Sequence, residues 1–201
     1  RMSKKPVFVW MDLETTGLTD ESEIIEVAMV ITDESLTEGM SWHEVRSPSA
    51  VGRQQILNDP YVLEMHKTSG LWECLDKTTV IGSRDVGIID HALVQIVEHS
   101  RGQFGPDVEF YLAGSGVASF DRRFIRRDFP RLNSLLHYSA IDMGIVSRAV
   151  RFLWGEPLAK PMNLRPHRAM DDTRAAIETA RTFRALGIQP SPDLTEVNSV
   201  S

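Results

Sequence analysis

The run Val7-Phe8-Val9-Trp10-Met11 passes directly into Asp12-Leu13-Glu14 and then Thr15-Thr16-Gly17. A short apolar run closed by turn-forming residues reads as a buried strand. Side chains two apart on a strand leave the same face, so Asp12 and Glu14 project together from its C-terminal end. Two carboxylates this close repel unless positive charge lies between them, and a divalent cation with oxygen ligands is the natural neutraliser. For this pair alone, a solvated acidic strand end is an equal competitor.

The rest of the chain alternates between strand and helix signals. Ile24 to Thr32 is rich in β-branched residues and stops at Asp33-Glu34-Ser35, and Thr37 to Arg46 follows as the third strand of a meander. From Ser47 to Asp76 the breakers Pro48, Gly52, Asn58, Pro60 and Gly70 leave only short helical or irregular pieces. Val86, Ile89, Leu93, Ile96 and Val97 recur at helical spacing, which predicts a helix from Ser83-Arg84-Asp85 to about Gly102. Val108 to Ala113 reads as a strand, with Ser119 as N-cap of a helix carrying Phe120, Phe124 and Ile125. Ile141 to Trp154 and Ala169 to Leu186 are further amphipathic helices, and residues 188–201 read as a mobile polar tail. The outcome is an α/β layer with one mixed sheet.

At 201 residues the chain fits one domain. No apolar stretch approaches the roughly 20 residues that span a bilayer. The single cysteine, Cys74, allows no intrachain disulfide and fits a cytoplasmic address. A net charge of -6, from 22 Lys+Arg against 28 Asp+Glu, argues against a broad basic track for long nucleic acid. It leaves room for a nucleic-acid substrate held through metal ions.

Two more segments carry chemistry. Asp121, in Ser119-Phe120-Asp121-Arg122-Arg123-Phe124, falls in the first turn of its predicted helix, where an Asp also suits the helix dipole. His167-Arg168-Ala169-Met170-Asp171-Asp172 stands at the mouth of the last long helix and offers a titratable base beside a carboxylate. Each is weak alone. Together, four carboxylates on three elements plus a histidine match what two-metal phosphoryl transfer requires: oxygen ligands, room for phosphate and a base for water.

The order Asp12-x-Glu14-Thr-Thr-Gly17, Phe120-Asp121 and His167-x-Ala169-x-x-Asp172 resembles the DEDD exonucleases whose third motif contains histidine, a branch of the ribonuclease H-like fold. Met65-His66-x-x-Ser69-Gly70-Leu71, Asp121-Arg122-Arg123-Phe124 and His137-Tyr138 make the oligoribonuclease branch the most similar. The resemblance implies a ribonuclease H-like mixed sheet of about five strands flanked by helices, in a single exonuclease domain over residues 1–187. It implies that Asp12, Glu14, Asp121 and Asp172 ligate two Mg²⁺ or Mn²⁺ ions and that His167 is the general base. It further implies that Leu18 and His66 meet a substrate base, and that His137 and Tyr138 reach the site from the partner of a homodimer. The substrate implied is short single-stranded RNA, cut from its 3′ end to nucleoside 5′-monophosphates.

Asp171 lies about 100° round the helix from Asp172 and reads as a supporting residue. The chain departs from the oligoribonuclease pattern in a longer segment before Asp121, in Ser139 where arginine is usual, and in Gly144 where serine is expected. The Arg-rich stretch 122–131 reads mainly as surface or structural ion pairs. A DNA-proofreading or RNA-trimming exonuclease of the same superfamily is the alternative activity, and a silent binding module the alternative class.

Overall fold

The computed structural model describes residues 4–77, 85–155 and 165–187. The expected helix start at Ser83-Arg84 and the expected tail 188–201 lie outside them. Five strands, β1 (Lys5–Thr15), β2 (Ile24–Thr32), β3 (Glu38–Val45), β4 (Val108–Gly114) and β5 (Leu136–Asp142), form one mixed sheet in the order β3-β2-β1-β4-β5. The first three make the antiparallel meander, whereas β4 and β5 join parallel. Every residue of β2 is buried, as a strand covered on both faces requires.

Alternation along β1 divides the core. Val7, Val9, Met11 and Leu13 face one layer, made by α4 (Val86–Phe104), α5 (Asp121–Asp128) and α6 (Pro130–Leu135), and pack with Ile89, Leu93, Val97, Phe124 and Leu132. Phe8 and Trp10 face the other layer, where α8 (Ala169–Ala185) lays Ala176, Ile177 and Ala180 beside Met143 of α7 (Met143–Trp154). Three short helices, α1 (Ala50–Asn58), α2 (Pro60–Thr68) and α3 (Leu71–Lys77), close over Ile25. Ser49 and Asp59 cap the first two through their side chains.

Several boundaries differ from expectation for local reasons. The long helix α4 passes Gly102 and stops at Gly105, whose φ of 103° ends it. Ser119 does not cap α5: its hydroxyl bonds the Gly116 carbonyl, and the helix starts at Asp121. Ile141 and Asp142 belong to β5, and Asp142 caps α7 by accepting the Ile145 N–H. Among the described residues no helix is long and apolar enough to cross a membrane.

Candidate active site

β1 stays paired with β2 out to Thr15, but its parallel pairing with β4 ends at Trp10 and Ala113. At Gly114 the backbones pass so closely that a Cβ would lie 2.5 Å from the Met11 carbonyl oxygen, and the chain then turns away. A gap opens beside the last third of β1. Asp121 fills it from the first turn of α5, and its Oδ1 accepts the Leu13 N–H at 2.9 Å. Such crevices beyond the carboxyl ends of strands are where open α/β sheets place ligands.

Asp12 and Glu14 continue the β1 face that Phe8 and Trp10 bury under α8, and they emerge where α8 begins. The first turn of α8 carries Asp171 and Asp172. Asp172 Oδ2 accepts the His167 N–H at 2.8 Å, and His167 has a left-handed φ of 63°, costly for a residue with a Cβ. Ligating atoms of Glu14, His167 and Asp172 all lie within 4.8 Å of one another. Glu14 is buried, Asp172 half-buried and His167 exposed, so the cluster opens to solvent through the histidine.

The electrostatics are those of crowded acids. Burial, then Asp121, Glu14 and Asp172, push the Asp12 carboxyl well above the usual carboxylate range. Burial and Asp172 raise Glu14 to about 8, against the pull of Arg168. Burial likewise raises Asp121 to about 7, although the Leu13 N–H favours its ionised form. Carboxylates that hold protons this tightly have too little counter-charge beside them, and a set of carboxylate oxygens with one imidazole fits hard divalent cations.

Two supporting groups were not assigned roles by the sequence reading. Glu26 lies opposite Glu14 on β2 and is wholly buried. Burial would raise its pKa, but hydrogen bonds from His43, Arg168 and the Ala169 N–H outweigh that and hold it below the usual range. Its pairing with Arg168 fixes the residue between His167 and α8. The signal was present, since Glu26 is the one charge in an otherwise apolar β-branched run. Asp142 accepts the Gly116, Ala118 and Ile145 N–H groups and ties the β4–α5 segment to α7.

Leu18 is 67% exposed on the loop that leaves β1 beside Glu14. His66 is wholly buried, its Nε2 on the Thr15 carbonyl at 2.9 Å, where burial lowers its pKa. It supports the end of β1 and presents no ring to the surface. His137 and Tyr138 sit elsewhere, at the start of edge strand β5, with the His137 ring between Tyr111 and Tyr138. Pairing puts Leu136 beside Phe110, and Phe110 beside Val7. Asp12 is thus several residues further along the sheet, at about 3.3 Å each, and the chain's own His137 and Tyr138 do not reach the acids. Asp171 bonds Arg165 at 3.1 Å, apart from the cluster.

No family model matches the chain. Among solved structures, the zinc-bound E. coli exonuclease I complex with single-stranded DNA superposes with a TM-score of 0.62 at 17% identity, over 96% of this chain and 43% of that one. Exonuclease I from Methylocaldum szegediense gives 0.61 at 19% identity, over 89% and 40%. The chain spans about two fifths of these exonucleases, and the likeness is one of fold. The oligoribonuclease of Nocardia farcinica is 31% identical over all of this chain and 90% of its own length. That of Mycobacterium bovis is 32% identical over 96% of this chain and 87% of its own. Because identity at this level runs through nearly the full length of both partners in each comparison, and not through the acidic motifs alone, this chain belongs to the oligoribonuclease family.

Proposed function

We propose that the chain is a 3′-to-5′ exoribonuclease that releases nucleoside 5′-monophosphates from short single-stranded RNA. The observation that carries this reading is the convergence of Asp12, Glu14, Asp121 and Asp172 with His167 at one crevice, three of the acids driven to high pKa chiefly by burial, with repulsion from neighbouring carboxylates adding to it. These four carboxylates would hold two divalent cations, Mg²⁺ or Mn²⁺, which when bound supply positive charge for the attacking and leaving oxygens of in-line hydrolysis. His167 takes the proton of the attacking water, a contribution of roughly 10² to 10⁴ in rate. Asp172 holds the His167 backbone and so places the imidazole. Leu18 meets a substrate base, with His66 bracing the strand end beneath it.

A second copy would bring His137 and Tyr138 to the crevice. Support comes from the exposure of Tyr138, Ile141 and Ile145 along β5 and the start of α7, an apolar strip beside a sheet edge that no other strand pairs among the described residues. We place the enzyme in the cytoplasm, where Cys74 stays reduced. DNA is the second reading, because structures of E. coli exonuclease I among the neighbours hold single-stranded DNA or a dA16 oligonucleotide.

The test is cleavage of 5′-labelled RNA and DNA from dinucleotides to chains of about twenty nucleotides. Rates should be highest on the shortest RNAs and need Mg²⁺ or Mn²⁺. Equal rates on long DNA would overturn the RNA assignment.

A further inference from the structure

Two arginines of α5 spend their donors on the loop that carries Leu18. Arg123 donates Nη2 to the Leu18 carbonyl and Nη1 to Asp20 Oδ1 at 3.1 Å. Arg127 donates Nη1 to the Asp20 carbonyl and Nη2 to the Ser22 carbonyl at 2.8 Å. Their planes are fixed from behind. The Arg123 guanidinium lies 4.7 Å from the Phe120 ring centroid and 4.8 Å from that of Phe124, and Arg127 lies 5.1 Å from Phe124. On its other side the loop is tied to β1, through Thr15 Oγ1 on the Gly17 carbonyl and the Thr16 N–H on the Glu23 carbonyl.

Helix α5 therefore does two things at once. Its first residue, Asp121, enters the acidic crevice, and Arg123 and Arg127 on its first two turns grip the Leu18, Asp20 and Ser22 carbonyls of the loop bearing exposed Leu18. The separation between Leu18 and the acids is thus set by one rigid helix. A planar arginine fork engaged on carbonyls and stacked on phenylalanine is a brace, and lysine cannot reproduce its geometry.

We propose that Arg123, assisted by Arg127, is a specificity-determining positioning residue that sets where Leu18 meets the substrate base relative to the acidic crevice. The proposal rests on the reading that Leu18 contacts a base. It makes the arginines act on substrate affinity through the loop, with no part in the proton transfer.

The experiment measures kcat and KM on a short RNA, in Mn²⁺, for Leu18→Ala, Arg123→Met, Arg123→Lys and the Leu18→Ala/Arg123→Met double variant. Arg123→Met should raise KM about tenfold, the low end of what losing one apolar contact costs. Its kcat should stay within about twofold of wild type, the signature of lost ground-state binding. The double variant should be no worse than Leu18→Ala, because the two residues act as one unit. Arg123→Lys should fall between and keeps the test alive if Arg123→Met misfolds. An unchanged KM in Leu18→Ala overturns the Leu18 reading and the proposal with it. A raised KM in Leu18→Ala with an unchanged KM in both Arg123 variants overturns the proposal alone. Additive losses in the double variant also overturn it, since Arg123 would then touch substrate itself.

Discussion

Asp171 and Asp172 are adjacent and alike in chemistry, yet the fold gives them different surroundings. Asp172 accepts the His167 N–H and lies with Glu14 in the acidic cluster, while Asp171 pairs with exposed Arg165. Asp172→Asn should therefore lower turnover of a short RNA by about 10²-fold or more, since on the proposed function it removes a charge from the ligand set and loosens the base. Asp171→Asn gives up an exposed ion pair worth at most about 1 kcal/mol and should stay within a fewfold of wild type. Equal losses in steady-state assays would refute this division of roles. The difference in surroundings was legible in the sequence, because helical spacing turns the two side chains about 100° apart. The buried state of His66 was not, because a histidine at a helix end gives no local sign of the strand that will cover it.

At the scale of elements, the segment from Gly114 to Asp121 must leave β4, cross the crevice and start α5 without a side-chain cap. Asp142 compensates: at 5% exposure it binds two N–H groups of this segment and one of α7. Asp142→Ala should destabilise the chain by roughly 3 kcal/mol, since these are buried hydrogen bonds to a charged group, whereas Asp142→Asn should cost less. Urea unfolding measures both, and a loss below about 1 kcal/mol for alanine would show the segment is held by other means. Gly144 lies in the same neighbourhood: a Cβ there would lie 3.1 Å from Asp142 Oδ1, 3.2 Å from Ser115 Oγ and 3.3 Å from the Gly116 N, so a serine would need these neighbours to give by a few tenths of an ångström. Strand β5 was not located in the sequence, where the resemblance implied only the number of strands and Ile141 read as the start of a helix, because a half-buried edge strand lacks the apolar run that revealed β1 and β2.

For the whole molecule, the concentration of acids couples stability to pH and metal. Glu14 rises from 4.5 to about 8 and Asp121 from 3.8 to about 7 on folding, so the folded chain binds these protons more tightly than the unfolded one. Their contribution to stability is fully present below the unfolded values, near pH 4, and is lost as pH rises toward about 8. Divalent cations held by these carboxyls, as proposed, would take the place of those protons. The rise in Tm on adding Mn²⁺ to chelator-treated protein should therefore be larger at about pH 8 than at about pH 6. An equal or smaller rise at the higher pH would mean that the raised carboxyls are not the cation ligands. On the proposed function the same acids reconcile the net charge of -6 with a nucleic-acid substrate, because the positive charge that meets phosphate would come with the cations.

The sequence by itself determined what depends on near neighbours. An apolar run marks β1, period two puts Asp12 and Glu14 on one face, and helical period separates Asp171 from Asp172. It also held the acids and the histidine in an order whose full-length identity places the chain in its family. Only the tertiary structure decided how the site is braced. Glu26 meets Arg168 across 142 positions, and Arg123 meets the Leu18 carbonyl across 105. A buried charge or a donor fork is stabilised by whichever group the fold brings within about 3 Å, and nothing in the residues beside it in the chain specifies which group that is.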